Sequence, residues 1–381
     1  MLRTLISDFK AAGHNVTATL DSRIARLNPP IVADCVVPVF SSRETQLNLR
    51  KLSEQVDAAY VIAPETDGVL QSLVALVEQT GAASLNCPAG SIEKVSDKAG
   101  FYEYMRKLGL PLPATMMFSV ADDLKEITKA VRGSFSFPVI CKPSDGVSCC
   151  GVSVVRNEEQ VAGAVDKIKR ESSSKHFLVQ ELIKGAAASV SLLSTGSEAV
   201  PITFNSQDVM IGTPKACSRY SGGVVPFDNP LRAEAFEVAK RIVKSVSGLR
   251  GYVGVDFVLT KEAAVAIEVN PRLTTSYVGL RRVVNFNPAQ AIVSAVLKSE
   301  LPRHCKSCGC TYFSKVETPS PTVDALEATY RLDEVVSPPF PVSDNGAASV
   351  LIVAYGATLN EASSRFREAK KRVLNTIDRG K

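Results

Sequence analysis

This sequence predicts an α/β protein, and three observations lead there. Over roughly the first 90 residues, short apolar strands alternate with amphipathic helices, as in an open α/β unit. Further along, apolar runs come in pairs joined by short polar turns, the pattern of hairpins. The chain of 381 residues, 45% hydrophobic and 22% charged, has an ordinary soluble composition and is long enough for two or three domains.

The chain opens on an amphipathic helix from Leu2, closed by Gly13, and runs into a strand over Val16 to Leu20. A doubly wound domain ordinarily begins with a strand, so a first strand is expected to be missing through a late start or truncation. A strand at Cys35 to Val39, a helix near Thr45 to Val56, a strand over Ala58 to Ala63 and a helix over Gly68 to Gly81 follow. Pro64-Glu65-Thr66-Asp67 sits where ligands reach open parallel sheets, but Glu65 and Asp67 are read first as acids satisfying a helix N-terminus.

Asp97 is expected to cap a helix over Ala99 to Leu108, which accounts for the acid and leaves Lys98 without a structural duty. The strand Phe137 to Lys142 leads through Gly146, Ser148 and Gly151 to a second strand. A buried strand ending in lysine, followed by a loop that can present N–H groups, describes a phosphate cradle; a plain hairpin explains the same residues. After a helix over Glu158 to Glu171, the strand Phe177 to Leu182 reaches a turn at Gly185 and can offer its backbone to an adenine edge. Ala188 to Ser194 and Ala199 to Phe204 read as paired strands. The double glycine Gly222-Gly223 marks Ser218 to Pro226 as a mobile loop before a helix over Leu231 to Ser247.

The chemistry concentrates in Gly251 to Arg272. Val253 to Leu259 and Ala264 to Val269 read as a hairpin with its turn at Thr260 to Ala263. Asp256 interrupts one strand, and Glu268 and Asn270, two apart, point to one side of its partner. Carboxylates buried among valines cost several kcal/mol unless a cation lies between them, and oxygen ligands suit a hard ion such as Mg²⁺. Glu268 alone would read as an exposed strand end; the three oxygens followed by Arg272 read as a metal site.

The net charge of +5 comes from interleaved acids and bases, which gives no case for nucleic acid. No apolar run approaches membrane-spanning length, so the expectation is a cytoplasmic protein with reduced thiols among its nine cysteines. His304-Cys305-Lys-Ser-Cys308-Gly-Cys310 is compact enough for zinc, but no second ligand pair accompanies it, and a metal-free reduced loop is expected. Cys149 and Cys150 lie in the phosphate-cradle loop, where oxidation is expected to inhibit. A strand over Ala348 to Ala354 and a basic helix over Leu359 to Ile377 close the chain.

Asp97-Lys98, Lys142 with its Gly/Ser loop, Gln180-Glu181-Leu182, Asp256 and Glu268-Val-Asn270-Pro-Arg272, in that order, resemble the ATP-grasp superfamily of carboxylate–amine ligases across roughly residues 58 to 300. Within it, Asn270 to Leu280, Ser189 to Ser194 and Asn205-Ser-Gln207 are similar to the archaeal tyramine–glutamate ligases of methanofuran biosynthesis. The resemblance implies an ATP-grasp fold with an N-terminal α/β domain at 1–95, a small lobe at 96–184 and a large lobe with a C-terminal subdomain at 185–381. It implies ATP between the lobes, Lys98 and Lys142 on its phosphates, Ser148 and Gly151 in the loop over them, and Gln180, Glu181 and Leu182 at the adenine. Asp256, Glu268 and Asn270 would hold Mg²⁺ or Mn²⁺, with Arg272 and Lys142 as the catalytic residues. The implied partners are a small-molecule carboxylate and amine, with glutamate and tyramine as the best pair. Tyr220 to Gly223 and Asp21-Ser-Arg23 would serve the acceptor side, the latter with a surface ion pair as its alternative. Many members carry an acid for the ribose just after the hinge strand, where this chain has Gly185-Ala-Ala-Ala188. The oligomeric state is not legible, with a homodimer among the readings.

Overall fold

A computed structural model describes residues 1–147, 149–341 and 347–379. In the N-terminal region β1 (Thr17–Asp21) and β2 (Cys35–Val39) pair in parallel, as do β3 (Ala58–Ala59) and β4 (Ala83–Ser84). The helices Leu2–Ala11, Ser42–Ser53, Val69–Glu78 and Ala89–Ser96 surround them, the last not anticipated from the sequence. The strand expected to reach Ala63 pairs only over its first two residues. Beyond them the Asn86 side chain takes both backbone groups of Val61, accepting from its N–H at 2.7 Å and donating to its carbonyl at 2.9 Å. A side chain has replaced the neighbouring strand there.

Next come β5 (Thr115–Ser119), β6 (Val139–Pro143), β7 (Ser153–Val155) and β8 (His176–Glu181), an antiparallel sheet in the order β5-β8-β6-β7. The helices Leu124–Ser134 and Val161–Glu171 bury Ile127, Val131, Val165 and Ile168 against Val139, Val155 and Phe177 of this sheet. The helix Lys98–Lys107 leads into this lobe.

Beyond it lie β9 (Ala186–Thr195), β10 (Ala199–Ser206), β11 (Asp208–Met210), β12 (Arg219–Val225), β13 (Arg250–Leu259), β14 (Ala264–Asn270), β15 (Cys310–Pro319), β16 (Val335–Pro341) and β17 (Ala347–Gly356). They form two sheets, ordered β10-β9-β13-β14 and β11-β12-β15-β17-β16. The predicted hairpin is β13–β14, and the helix Arg232–Ser245 buries Ala235, Val238, Ile242 and Val243 in the core that lies on its sheet. The C-terminal helix Leu359–Arg379 covers one face of the second sheet through Phe366 and Val373 against Val316, Val350 and Ile352.

Ser218 to Pro226, expected as a mobile loop, is largely β12. Its double glycine serves close packing instead of motion: a Cβ on Gly222 would lie 2.0 Å from the Phe313 carbonyl oxygen, and one on Gly223 2.0 Å from that of Ser206. Glycine at 222 leaves room for the neighbouring strand β15 of the same sheet, and glycine at 223 lets β10 of the other sheet approach. β15 and β16, and the helices Tyr277–Val283, Pro288–Val293 and Val323–Tyr330, were not anticipated either.

Candidate active site

A cleft of about 290 Å³ opens between the two four-stranded sheets. Lys142, at the end of β6, and Gln180, on β8, line one wall; Ser189, Asp256, Glu268 and Asn270, on β9, β13 and β14, line the other. Lys98, Glu181, Leu182 and Arg272 line the same space. Gly151 does not itself line the cleft but sits between two residues that do, Cys150 and Val152, at a φ of 71° and with its N–H donated to the Glu171 carboxylate. Ser148 lies outside the described residues.

The hairpin register gathers the acids. Asp256 pairs with Glu268 and Gly254 with Asn270, and opposed residues of an antiparallel pair share a face, so three oxygen-bearing side chains project together. Asn270 Nδ2 donates to one Asp256 oxygen at 3.1 Å and Gln207 Nε2 to the other at 3.0 Å. Burial pushes the Asp256 carboxyl up to about 7, the Glu268 charge adds to the rise, and those two bonds oppose it.

The opposite wall is cationic. Asp97 caps the helix by accepting from the Ala99 N–H at 3.2 Å, as expected, which sets Lys98 at the first turn. The Lys98 ammonium donates to the Gly146 carbonyl at 2.7 Å and lies 3.7 Å from a Glu268 oxygen. Lys142 is only 7% exposed. Burial brings its pKa down to about 8 against the pull of Glu268, with the Lys98 charge pressing the same way as burial. Gln180 donates to the Thr115 hydroxyl at 2.7 Å, which fixes its side chain and leaves the backbone of the strand end beside the cleft.

Arg272 is anchored by a residue that the sequence reading assigned elsewhere. Glu65 makes no capping bond; its carboxylate takes the Arg272 Nε–H at 2.6 Å, and both side chains are mostly buried. A buried guanidinium outcompetes the weak dipole of a three-residue turn. Asp67, at a φ of 56°, accepts from the Ser173 hydroxyl instead of capping a helix. Asp21 and Arg23 bond each other at 2.6 Å at the surface, away from the cleft, so the ion-pair alternative describes them. Gln207 was noted only as part of a resemblance; nothing local marks it as a partner of Asp256, 49 residues away.

Tyr220 and Cys149 also line the cleft. Burial and the neighbouring carboxylates push the Cys149 thiol up to about 11, so it stays protonated at neutral pH and is a poor target for oxidation. All nine cysteines are free. Among the described residues no group of three or more His, Cys, Asp or Glu side chains is disposed to hold a metal, the Cys305 to Cys310 loop included.

Residues 95–276 match the ATP-grasp domain model and residues 14–92 the pre-ATP-grasp domain model. The chain is an ATP-grasp enzyme, of the ATP-dependent ligases that form carbon–nitrogen bonds. It resembles in particular tyramine–L-glutamate ligase. It is 26% identical to that of Methanocaldococcus fervens over 283 residues, 74% of this chain and 81% of that protein. To that of Methanocaldococcus jannaschii it is 27% identical over 268 residues, 70% and 72% of the two chains. Its fold is also that of the L-amino acid ligase from Bacillus licheniformis, with a TM-score of 0.70 over 97% of this chain and 94% of the other at 16% identity.

Proposed function

We propose that this enzyme phosphorylates a carboxylate of L-glutamate with ATP and joins the resulting acylphosphate to tyramine, releasing ADP and phosphate. The observation that carries the reading is the pairing of two cleft walls, the buried Lys142 and half-buried Lys98 on one and the half-buried carboxylates of Asp256 and Glu268 on the other. Lys98 and Lys142 would bind the phosphates, the loop through Gly151 would cover them, and the strand end Gln180-Glu181-Leu182 would receive the adenine.

The residues present fit a magnesium ion. Asp256, burdened by burial and by Glu268, is a carboxylate that a cation would relieve, and Asp256, Glu268 and Asn270 form the all-oxygen set that Mg²⁺ or Mn²⁺ takes. Bound there, the ion supplies neutralisation of charge on the transferring phosphoryl group. Arg272, its fork held by Glu65 and by the Asn270 oxygen at 3.3 Å, would orient the substrate carboxylate and stabilise the oxyanion formed when the amine attacks. The displaced phosphate carries away the oxygen lost from the carboxylate, and the amine nitrogen gives up a proton as the amide forms. By its resemblance such an enzyme would serve methanofuran biosynthesis. We place it in the cytoplasm, where ATP and reduced thiols coexist.

The test is ADP release from ATP and Mg²⁺ across a panel of acids and amines, with mass detection of the product. The fastest turnover is expected with glutamate and tyramine. Release with a different pair would move the substrates, and none with any pair would overturn the ligation.

A further inference from the structure

Three cationic groups of the cleft already have duties or partners. Lys98 lies beside Glu268, Arg272 is bound to Glu65, and Lys142 faces the carboxylates of the hairpin. A dicarboxylic substrate brings a second carboxylate that none of these is free to hold. A fourth cation stands at the cleft's edge. Lys315, on β15, has its ammonium 5.9 Å above the ring of Tyr220, a residue that lines the cleft. Among the described residues it makes no ion pair.

The sheet geometry explains why this lysine lies over the ring of Tyr220. Side chains alternate along a strand, so Lys315 shares a face with Phe313. Phe313 is fully buried in the cluster that contains Tyr252, Tyr277 and Leu273, the residue that follows Arg272. Val316, on the other face, belongs to the core under the C-terminal helix. On β12, the register with β11 skips Ser221, and this bulge turns Tyr220 to the same side as Lys315. The Lys315 charge also reaches the Cys149 thiol, across the cleft in the loop of the small lobe.

Building on the proposed ligation, we infer that Lys315 is a specificity-determining residue that holds the non-reacting carboxylate of a dicarboxylic amino acid at the mouth of the cleft. An exposed lysine on an aromatic ring can take up such a group without the cost of uncovering a buried charge.

The experiment compares wild type, Lys315→Met and Lys315→Arg in ADP release with tyramine, varying L-glutamate, L-glutamine and ATP in turn. With Lys315→Met the KM for glutamate is expected to rise about ten- to a hundredfold, the scale of one charged hydrogen bond. The KM for ATP is expected to hold, the preference for glutamate over glutamine to collapse, and Lys315→Arg to restore part of it. Unchanged melting temperatures would show that all three fold. An unchanged glutamate KM in Lys315→Met overturns the inference, as does an equal rise in the KM for ATP, which would assign Lys315 to the nucleotide. A wild type that turns over only monocarboxylic acids overturns it while leaving the ligase reading intact. No ADP release with any acid and amine removes both.

Discussion

Lys142 and Lys167 are both buried lysines of the small lobe, 7% and 1% exposed, yet the regions around them are built differently. The Lys167 ammonium, on the helix Val161–Glu171, donates to three carbonyls: Val152 at 2.8 Å, Ala216 at 2.7 Å and Thr213 at 3.5 Å. Val152 belongs to the small lobe, and Thr213 and Ala216 to the segment between β11 and β12, so this lysine fastens the two lobes together. Lys142 has no comparable cradle: among the described residues its ammonium meets charges across the cleft and no hydrogen-bond acceptor, and burial draws its pKa down to about 8. A buried cation whose donors are all used stabilises the fold; one left facing a cavity is held at a cost for something that will arrive there.

Substitutions can break this contrast. The largest effect is expected for Lys142→Met, which should lower turnover about a thousandfold, the upper range for removing one preorganised electrostatic contact. Steady-state ADP release would measure it, and near-normal turnover would make Lys142 no different from Lys167. Lys167→Met should destabilise the protein by about 3 kcal/mol in urea unfolding, because buried carbonyls lose their donor. A neutral result would mean that water takes the place of the ammonium.

Two smaller effects sharpen it. Ligand-free Lys142→Met should be more stable than wild type by about 2 kcal/mol at pH 7, the opposite sign to Lys167→Met, since a lysine with a lowered pKa opposes folding while protonated. By the same linkage the unfolded chain binds more protons than the folded one between about 8 and the ordinary value of 10.5, so the Lys142 contribution to wild-type stability should rise with pH through that interval and vanish in the methionine variant. ATP affinity should run the other way, weakening up to about tenfold per pH unit above about 8 as Lys142 loses its charge, with the slope flattened in Lys142→Arg. Calorimetric titration at several pH values would read it.

The parts of the site that were legible are those written locally. The β13–β14 hairpin shows because its turn, Thr260 to Ala263, is four residues long and Thr260 closes it by bonding the Ala263 backbone. Asp256 shows because a carboxylate among valines needs a reason. Asp97 shows because its capping partner is two residues away. Glu65 does not, since its partner Arg272 is 207 residues distant and a helix-end acid was a sufficient local account. β15 was missed for the same kind of reason: its partners are β12, far before it, and β17, after a helix and another strand, and neither distance leaves a turn signal. Gly222 and Gly223 were misread because a loop and a crowded sheet crossing both ask for glycine.

That crossing bears on how the enzyme can be dissected. β12 carries Tyr220 into the cleft and takes its long-side hydrogen bonds from β15, a strand outside the 95–276 stretch that matches the ATP-grasp domain. A fragment stopped at residue 276 would leave that edge bare, with only three-residue β11 beside it on the other flank and the slot of Phe313 open to water. Such a piece should clump at its raw margin, so the smallest autonomous catalyst has to include C-terminal strands that do not line the cleft.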